Sequence, residues 1–419
     1  MEIDLPTYCM PIHVPIYTDG SQSFVISEWY RALTLLRDSF AGHFDRFILT
    51  APSLPAENAP VLLEPIGVGD GFDPRPSIPY KGSKREYWLG GDRKRWKADV
   101  AKALAESDLA HTVMSDLYRP VSRDALEIAL RRDMTTVFFV DTDIISQVRA
   151  LLAAGMMRRG PDRPVYLWYH DRVLRSVVAR ADLSFLKGST LFDLYGPNAK
   201  NPKFFHDTSY QSDEIVAEDV VTRRVTDRAP DAPLKLVYCG RLVARKGCDR
   251  SIEIVAKARA LGANVTFDLI GDGPERAGLE ALAGKHGLEE AVRFLGEKPY
   301  GPELLRELAD YDGLLFTPMA EDTPRMIFDG YAAGLPLLGA DIPYVRERHV
   351  EEHATVLLPQ DNPTAAAEAV AALASDPERL ATLAKAALAA ARDNATDVWY
   401  QRRAEWTLEA HHARMSASA

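Results

Sequence analysis

Short apolar runs alternate with amphipathic stretches through the second half of the chain. Residues 234–239, 265–270, 292–295, 313–317, 335–339 and 355–358 are the apolar runs, each short enough to be a buried strand. Between the first of them, residues 249–261 and 275–286 repeat apolar positions at helical spacing. Each stretch is followed by a glycine, Gly262 or Gly287, the residue that most readily takes the left-handed conformation ending a helix. Strand, helix, strand at this spacing predicts a parallel sheet covered by helices. The first half repeats the theme at residues 8–14, 44–50, 110–114, 136–140 and 165–169. Residues 363–410 read as Ala-rich helices, to which Trp399, Tyr400 and Trp406 add large apolar surfaces. Residues 218–233 are polar and charged and end Ala229-Pro230-Asp231-Ala232-Pro233, the composition of a linker. The pattern therefore predicts an α/β protein of two domains, residues 1–217 and 218–390, with a helical segment 391–419 packing back on the first. No repeat of about 20 to 50 residues is evident, which sets solenoids and propellers aside.

A chain of 419 residues is long enough for two full cores, and 47% hydrophobic with 26% charged residues is an ordinary globular balance. Lys plus Arg total 50 against 60 Asp plus Glu, a net charge of -10, so no bulk attraction to duplex nucleic acid exists and no nucleic-acid partner is expected. The three cysteines, Cys9, Cys239 and Cys248, are odd in number and form no C-x-x-C, against both a disulfide framework and a zinc site. Glu2 and Asp4 stand where a secretory leader would be basic, and no stretch of about 18 uncharged apolar residues occurs. The expectation is a cytoplasmic protein with at most peripheral contact with the inner face of a membrane.

In parallel sheets, ligands bind beyond the carboxyl ends of the strands, so the residues after each strand carry the chemistry. After 234–239 come Arg241 and Lys246 between Gly240 and Gly247. A planar donor fork beside a point charge suits a departing diphosphate, whereas pairing with surface carboxylates is the plainer reading. After 265–270, Gly271-Asp272-Gly273-Pro274 is a tight turn that lets backbone approach a phosphate or base. Arg276 stands where a dinucleotide fingerprint requires a small residue, which argues against nicotinamide and flavin. After 313–317, Thr323 is a good N-cap and Pro324 a good first helical residue, with Gly334 and Pro336 marking the stop. That helix would aim its positive N-terminus at an anion. Glu321 before it and Asp329 within it can accept hydrogen bonds from hydroxyls, unless Asp329 is simply the i,i+4 partner of Arg325.

Taken together, Gly-Arg-Leu-x-x-x-Lys-Gly at Gly240 to Gly247, Ile-Gly-Asp-Gly-Pro at Ile270 to Pro274, Phe-Leu-Gly at Phe294 to Gly296, the Glu321-x7-Asp329 pair and Gly-Leu-Pro at Gly334 to Pro336 resemble the retaining glycosyltransferases of family four. The resemblance runs from about Leu234 to the end of the chain. It implies the GT-B fold, two Rossmann-like domains whose parallel sheets face each other across a cleft. It also implies a UDP- or GDP-linked sugar donor, no metal and no further cofactor. By position, Arg241 and Lys246 would hold the diphosphate and Glu321 the donor sugar hydroxyls, with backbone groups of Arg325 and Met326 near sugar and phosphate. Asp329 would take the place of the family's second glutamate at the ribose, one methylene shorter. Gly20, Gly271, Gly273, Lys298 and Thr323 complete the expected donor-binding set. Gly20 belongs to Tyr17 to Gln22, which looks like the family's glycine loop between a first strand and a helix. Relatives place a histidine after a mid-domain strand; here 136–140 is followed by Asp141-Thr142-Asp143, and His170 follows 165–169. Asp143 and His170 thus stand as alternatives for that catalytic position.

The run from Lys81 to Lys97 holds seven Lys or Arg against Glu86 and Asp92, with Tyr87, Trp88 and Trp96 interleaved. Such a run suits an anionic membrane surface or a lipid-linked or anionic acceptor; a solvated loop with a few buried aromatics is the other reading. The function expected is retaining transfer of a sugar to a glycan or lipid-linked acceptor in cell-envelope or exopolysaccharide synthesis, the departing phosphate oxygen serving as base. A nucleotide-sugar epimerase on the same plan, or a non-catalytic nucleotide- or glycan-binding subunit, are the alternatives.

Overall fold

A computed structural model of the chain describes residues 5–59, 62–114, 118–132, 134–153, 160, 162–229, 231–319 and 324–418. They fold into two compact units, Met1–His206 with Trp399–Ala419, and Asp207–Val398.

The first unit is built on ten strands: β1 (Thr7–Pro11), β2 (Ile16–Thr18), β3 (Ser23–Ile26), β4 (Arg46–Pro55), β5 (Leu63–Ile66), β6 (Phe72–Pro79), β7 (Leu109–Val113), β8 (Thr135–Val140), β9 (Leu183–Lys187) and β10 (Pro202–Phe205). Their order is β10-β9-β8-β7-β1-β4-β2-β3-β5, with β6 also paired to β4. The pairings from β10 to β4 are parallel, whereas β3 runs antiparallel to both β2 and β5. Two expectations fail here. Residues 165–169 are not a strand but lie in the Asp162–Val178 helix. The helical period wins because Val173, Leu174, Val177 and Val178 recur on one buried face, and the adjoining strand is β9 instead. Tyr17 to Gln22 does not lead into a helix: it is the tip of the β2–β3 hairpin, where the Asp19 carboxylate accepts from the Ser21 and Gln22 amides at 2.8 Å. The final helix, Thr396–Ser418, brings Trp399 into the core of this unit.

The second unit is a six-stranded, wholly parallel sheet, β11 (Leu234–Cys239), β12 (Val265–Ile270), β13 (Val292–Gly296), β14 (Gly313–Phe316), β15 (Leu337–Ala340) and β16 (Thr355–Leu358). Its order is β13-β12-β11-β14-β15-β16. Every residue of β14 and β15 is buried, as a sheet covered by helices on both faces requires. The supposed linker is partly a helix, Glu218–Thr226, because Val221 and Val225 make one apolar face and Val221 packs with Ala384 and Leu388. The unit extends past the boundaries the sequence suggested at both ends. Thr396 donates its amide to the Tyr210 carbonyl at 2.8 Å, the Tyr210 hydroxyl donates to the Ala391 carbonyl at 3.0 Å, and the Ser212 amide donates to Asp397 at 2.9 Å. These bonds tie residues 207–217 and 391–398 to each other, and the Val216 amide, donating to the Ala332 carbonyl at 2.9 Å, ties them to the rest of the unit.

Candidate functional site

At the carboxyl edge of the second sheet three loops lock together through backbone. Gly240 and Leu242 donate to the carbonyls of Ile270 and Asp272, and Met319 donates to the Arg245 carbonyl at 3.0 Å. The glycines make this possible. A Cβ on Gly271, whose φ is +141°, would lie 2.0 Å from the Gly240 carbonyl oxygen, and one on Gly247, at φ +64°, 1.9 Å from that of Thr317. Gly273 meets the Leu242 carbonyl in the same way. The space these glycines leave is taken by neighbouring loops, so their work in this structure is to fix the loop that carries the two cations. On that loop the Arg241 side chain is exposed and its carbonyl accepts from the Tyr238 hydroxyl at 3.1 Å. Lys246 closes a short turn and is buried, its Nζ 5.6 Å from the centre of the Phe316 ring. Thr317 braces the turn by donating to the Gly247 carbonyl at 2.8 Å.

Glu321 and Thr323 lie outside the described residues. The helix after them is shorter than the sequence suggested, Met326–Ala332, with Pro324 ahead of it and Arg325 at its N-cap. Met326 is buried at its start, with its sulfur beside Gly240. Arg325 does not pair with Asp329; it reaches Asp207 at 2.8 Å. Asp329 instead accepts from the Tyr300 hydroxyl at 3.2 Å. Burial pushes the Asp329 carboxyl up to about 7, with the Tyr300 hydrogen bond and Arg325 opposing the shift and Glu214 adding to it. Lys298 is engaged with Glu307. The second unit therefore gathers Arg241, Lys246, Met326 and Asp329 around the ends of β11 and β14, and Lys298 and Arg325 are engaged with Glu307 and Asp207. Tyr300 is the residue the sequence did not flag; its only signal was its place after β13 at the same sheet edge.

In the first unit Gly20 sits at the hairpin tip with φ +95° and open space around it, a turn residue rather than part of a strand-to-helix loop. Asp143 follows β8 as expected. His170 is buried in the Asp162–Val178 helix, neither ring nitrogen has a hydrogen-bond partner among the described residues, and burial lowers its pKa while Asp143 and Asp171 oppose the shift. The two residues posed as alternatives are thus electrostatic neighbours. Asp143 also lines a cavity of about 880 Å³ with Arg149, Arg163, Trp168, Arg175 and Tyr195. The Lys81 to Lys97 run is two helices, Lys84–Leu89 and Asp92–Leu104, not a loop. A capping box between Ser83 and Glu86 starts the first. Tyr87 and Trp96 are buried, and Arg93 and Lys97 turn to Asp124 at 2.6 and 3.5 Å. Lys81, Lys84, Arg85, Lys94 and Arg95 remain on the exposed side. No helix of the described residues is long and apolar enough to cross a membrane.

Two α/β units, one wholly parallel with cationic and acidic groups at its carboxyl edge, define the GT-B class of fold. Residues 222–389, within the second unit, match the family model of glycosyl transferases group 1. Over 129 residues the chain is 29% identical to the GtfA subunit of a UDP-N-acetylglucosamine–peptide N-acetylglucosaminyltransferase from Streptococcus agalactiae, 30% of this chain and 25% of that protein. It is also 29% identical over 172 residues to the alpha-D-kanosaminyltransferase of Streptomyces kanamyceticus, 40% of this chain and 44% of the relative. The matches thus span less than half the length of either curated relative. Among solved structures, Anabaena HepE in complex with UDP superposes with a TM-score of 0.63 at 16% identity, covering 97% of this chain and 100% of that one.

Proposed function

We propose that this protein is a glycosyltransferase that moves a sugar from a nucleoside diphosphate sugar to a glycan or lipid-linked acceptor in cell-envelope or exopolysaccharide synthesis. The observation that carries the reading is the β11 loop, which the close approach of the β12 glycines, the Thr317 hydroxyl and the Met319 amide hold in place so that Arg241 and Lys246 stand at one sheet edge, inside the segment that matches the family. As the glycosyl bond breaks, negative charge gathers on the leaving diphosphate. Two cations carried on a loop whose backbone is braced in advance stabilise that charge with little reorganisation. We read the donor as UDP- or GDP-linked, and HepE, solved with UDP, supports a uridine nucleotide. Asp329 is assigned to the ribose hydroxyls and Glu321 to the donor sugar. Transfer proceeds with retention and without metal, the leaving phosphate oxygen taking the acceptor proton. The acceptor is assigned to the first unit, where the cavity beside Asp143 presents Arg149, Arg163 and Arg175 to an anionic group. The protein is assigned to the cytoplasm, with peripheral contact through the exposed cations between Lys81 and Lys97.

The test is a thermal-shift panel of UDP, GDP, ADP and their sugar conjugates with and without EDTA, since a ligand that binds only the folded state raises the melting temperature. An EDTA-insensitive shift with one nucleotide, lost in Lys246→Ala, is the expected result. No shift with any nucleotide, together with no transfer to any offered acceptor, refutes the reading. Donor consumption without acceptor points to an epimerase.

A further inference from the structure

The Asp162–Val178 helix has two apolar faces. Val173, Leu174, Val177 and Val178 are buried in the core of the first unit. Nearer its start, Val165, Trp168 and Tyr169, three and four residues apart, are 63%, 62% and 42% exposed, and the Arg172 guanidinium lies 6.0 Å from the Trp168 ring. An ordinary surface helix carries polar residues there. A second exposed apolar pair, Trp88 and Leu89, ends the Lys84–Leu89 helix. Tyr118 joins the two. Its ring stacks on Tyr166 at 5.2 Å, its carbonyl accepts from the Trp88 indole at 2.8 Å, and Lys84 Nζ stands 3.1 Å from its ring centre. Cations frame the same face. Arg123 donates to the Tyr169 hydroxyl at 3.0 Å, Arg119 donates to the carbonyls of Pro79 and Tyr80, and Lys81 and Arg85 are exposed. Glu86, the acid within this stretch, is taken by the Ser83 amide. Aromatic side chains with polar tips, interleaved with cations on a protein of net charge -10, form a local surface suited to anionic headgroups.

We propose that the Lys84–Leu89 helix, Tyr118 and the first half of the Asp162–Val178 helix form one docking face for an anionic lipid bilayer, with Trp168, Tyr169 and Leu89 seated among the headgroups. This deepens the membrane contact of the proposed function and rests on it, moving its apolar centre away from the Lys81 to Lys97 run onto the later helix. Tyr80 and Tyr118 lie beyond the carboxyl ends of β6 and β7, and Asp143 follows β8, so the face shares an edge of the sheet with the arginine-lined cavity. The geometry fits an acceptor carried by the lipid surface itself.

The test is co-sedimentation of the full-length protein with vesicles of phosphatidylcholine alone and of phosphatidylcholine with an equal amount of phosphatidylglycerol. Binding is expected only to the mixed vesicles and is weakened by salt. Trp168→Ala/Tyr169→Ala should weaken it about tenfold, and each of Lys81→Ala and Arg85→Ala about fivefold. The melting temperature and nucleotide-induced shift of each variant should stay at wild-type values. Wild-type binding by Trp168→Ala/Tyr169→Ala, with loss in Lys81→Ala/Arg85→Ala, overturns this proposal and leaves the contact through the Lys81 to Lys97 cations standing. No binding of the wild-type protein to either vesicle overturns both, while the nucleotide shift judges sugar transfer separately. Binding equally to both vesicle types also overturns it, because the cations would then do nothing.

Discussion

Replacing Asp329 by Asn should make the protein more stable and the donor site worse. The carboxyl moves from an ordinary 3.8 to about 7 in the folded chain, chiefly through burial. Ionisation is therefore harder when folded than when unfolded. Below the ordinary value the group is protonated in both states and costs nothing; between 3.8 and about 7 stability is lost as pH rises, and above that the loss is constant. Three pH units at about 1.36 kcal/mol each would give about 4 kcal/mol for full burial. The side chain is only half-buried, so screening by solvent reduces this to on the order of 1–2 kcal/mol. Asn keeps the shape and an acceptor for the Tyr300 hydroxyl without the charge. The assay is thermal unfolding of both proteins across pH 4 to 8. The expected difference is near zero at the acid end, grows in favour of the Asp329→Asn variant as pH rises, and levels off near neutrality. Nucleotide affinity should move oppositely: in the wild type it rises with pH through about 7, whereas in Asp329→Asn it is weaker and flat. A stability difference that does not change with pH, or a loss of stability at every pH, refutes the reasoning.

Four further outcomes follow from the same unit's geometry. Tyr300→Phe removes a hydrogen bond that favours the ionised Asp329, so the carboxyl should move higher still, and nucleotide affinity at neutral pH should fall and recover on the alkaline side, read by calorimetric titration across pH. Arg241→Ala alters an exposed side chain and should leave the stability within about 0.5 kcal/mol of wild type, while sugar transfer in a product assay falls by orders of magnitude. Gly271→Ala forces a Cβ to within 2.0 Å of a carbonyl oxygen at positive φ and should destabilise by about 2–4 kcal/mol. Gly278→Ala, in the Arg276–Lys285 helix with open space around it, should stabilise by about 0.5–1 kcal/mol, both read by denaturant titration.

The contrast between these glycines explains why the second unit was so legible. Its six strands are short, almost wholly apolar and punctuated by glycine, so pattern and fold coincide, and the predicted runs at 234–239, 265–270 and 355–358 have the bounds of β11, β12 and β16. What the pattern did not carry was the use of the glycines. Gly271 and Gly273 read as room for a ligand, and only their contact with the β11 loop reveals that backbone fills that room. Likewise Arg325 and Asp329 have ideal spacing for each other, yet each takes a partner distant in sequence, Asp207 and Tyr300. The first unit was harder for a physical reason. Val165 to Tyr169 is apolar throughout although none of it is buried: Tyr166 and Leu167 are half-covered and Val165, Trp168 and Tyr169 are exposed, so it imitates a strand. A helix that keeps its apolar outer face in the folded chain violates the rule that made the rest of the sequence readable. Such violations concentrate where a protein meets a partner. The misread segment is therefore itself an argument that the Asp162–Val178 helix serves binding as well as packing.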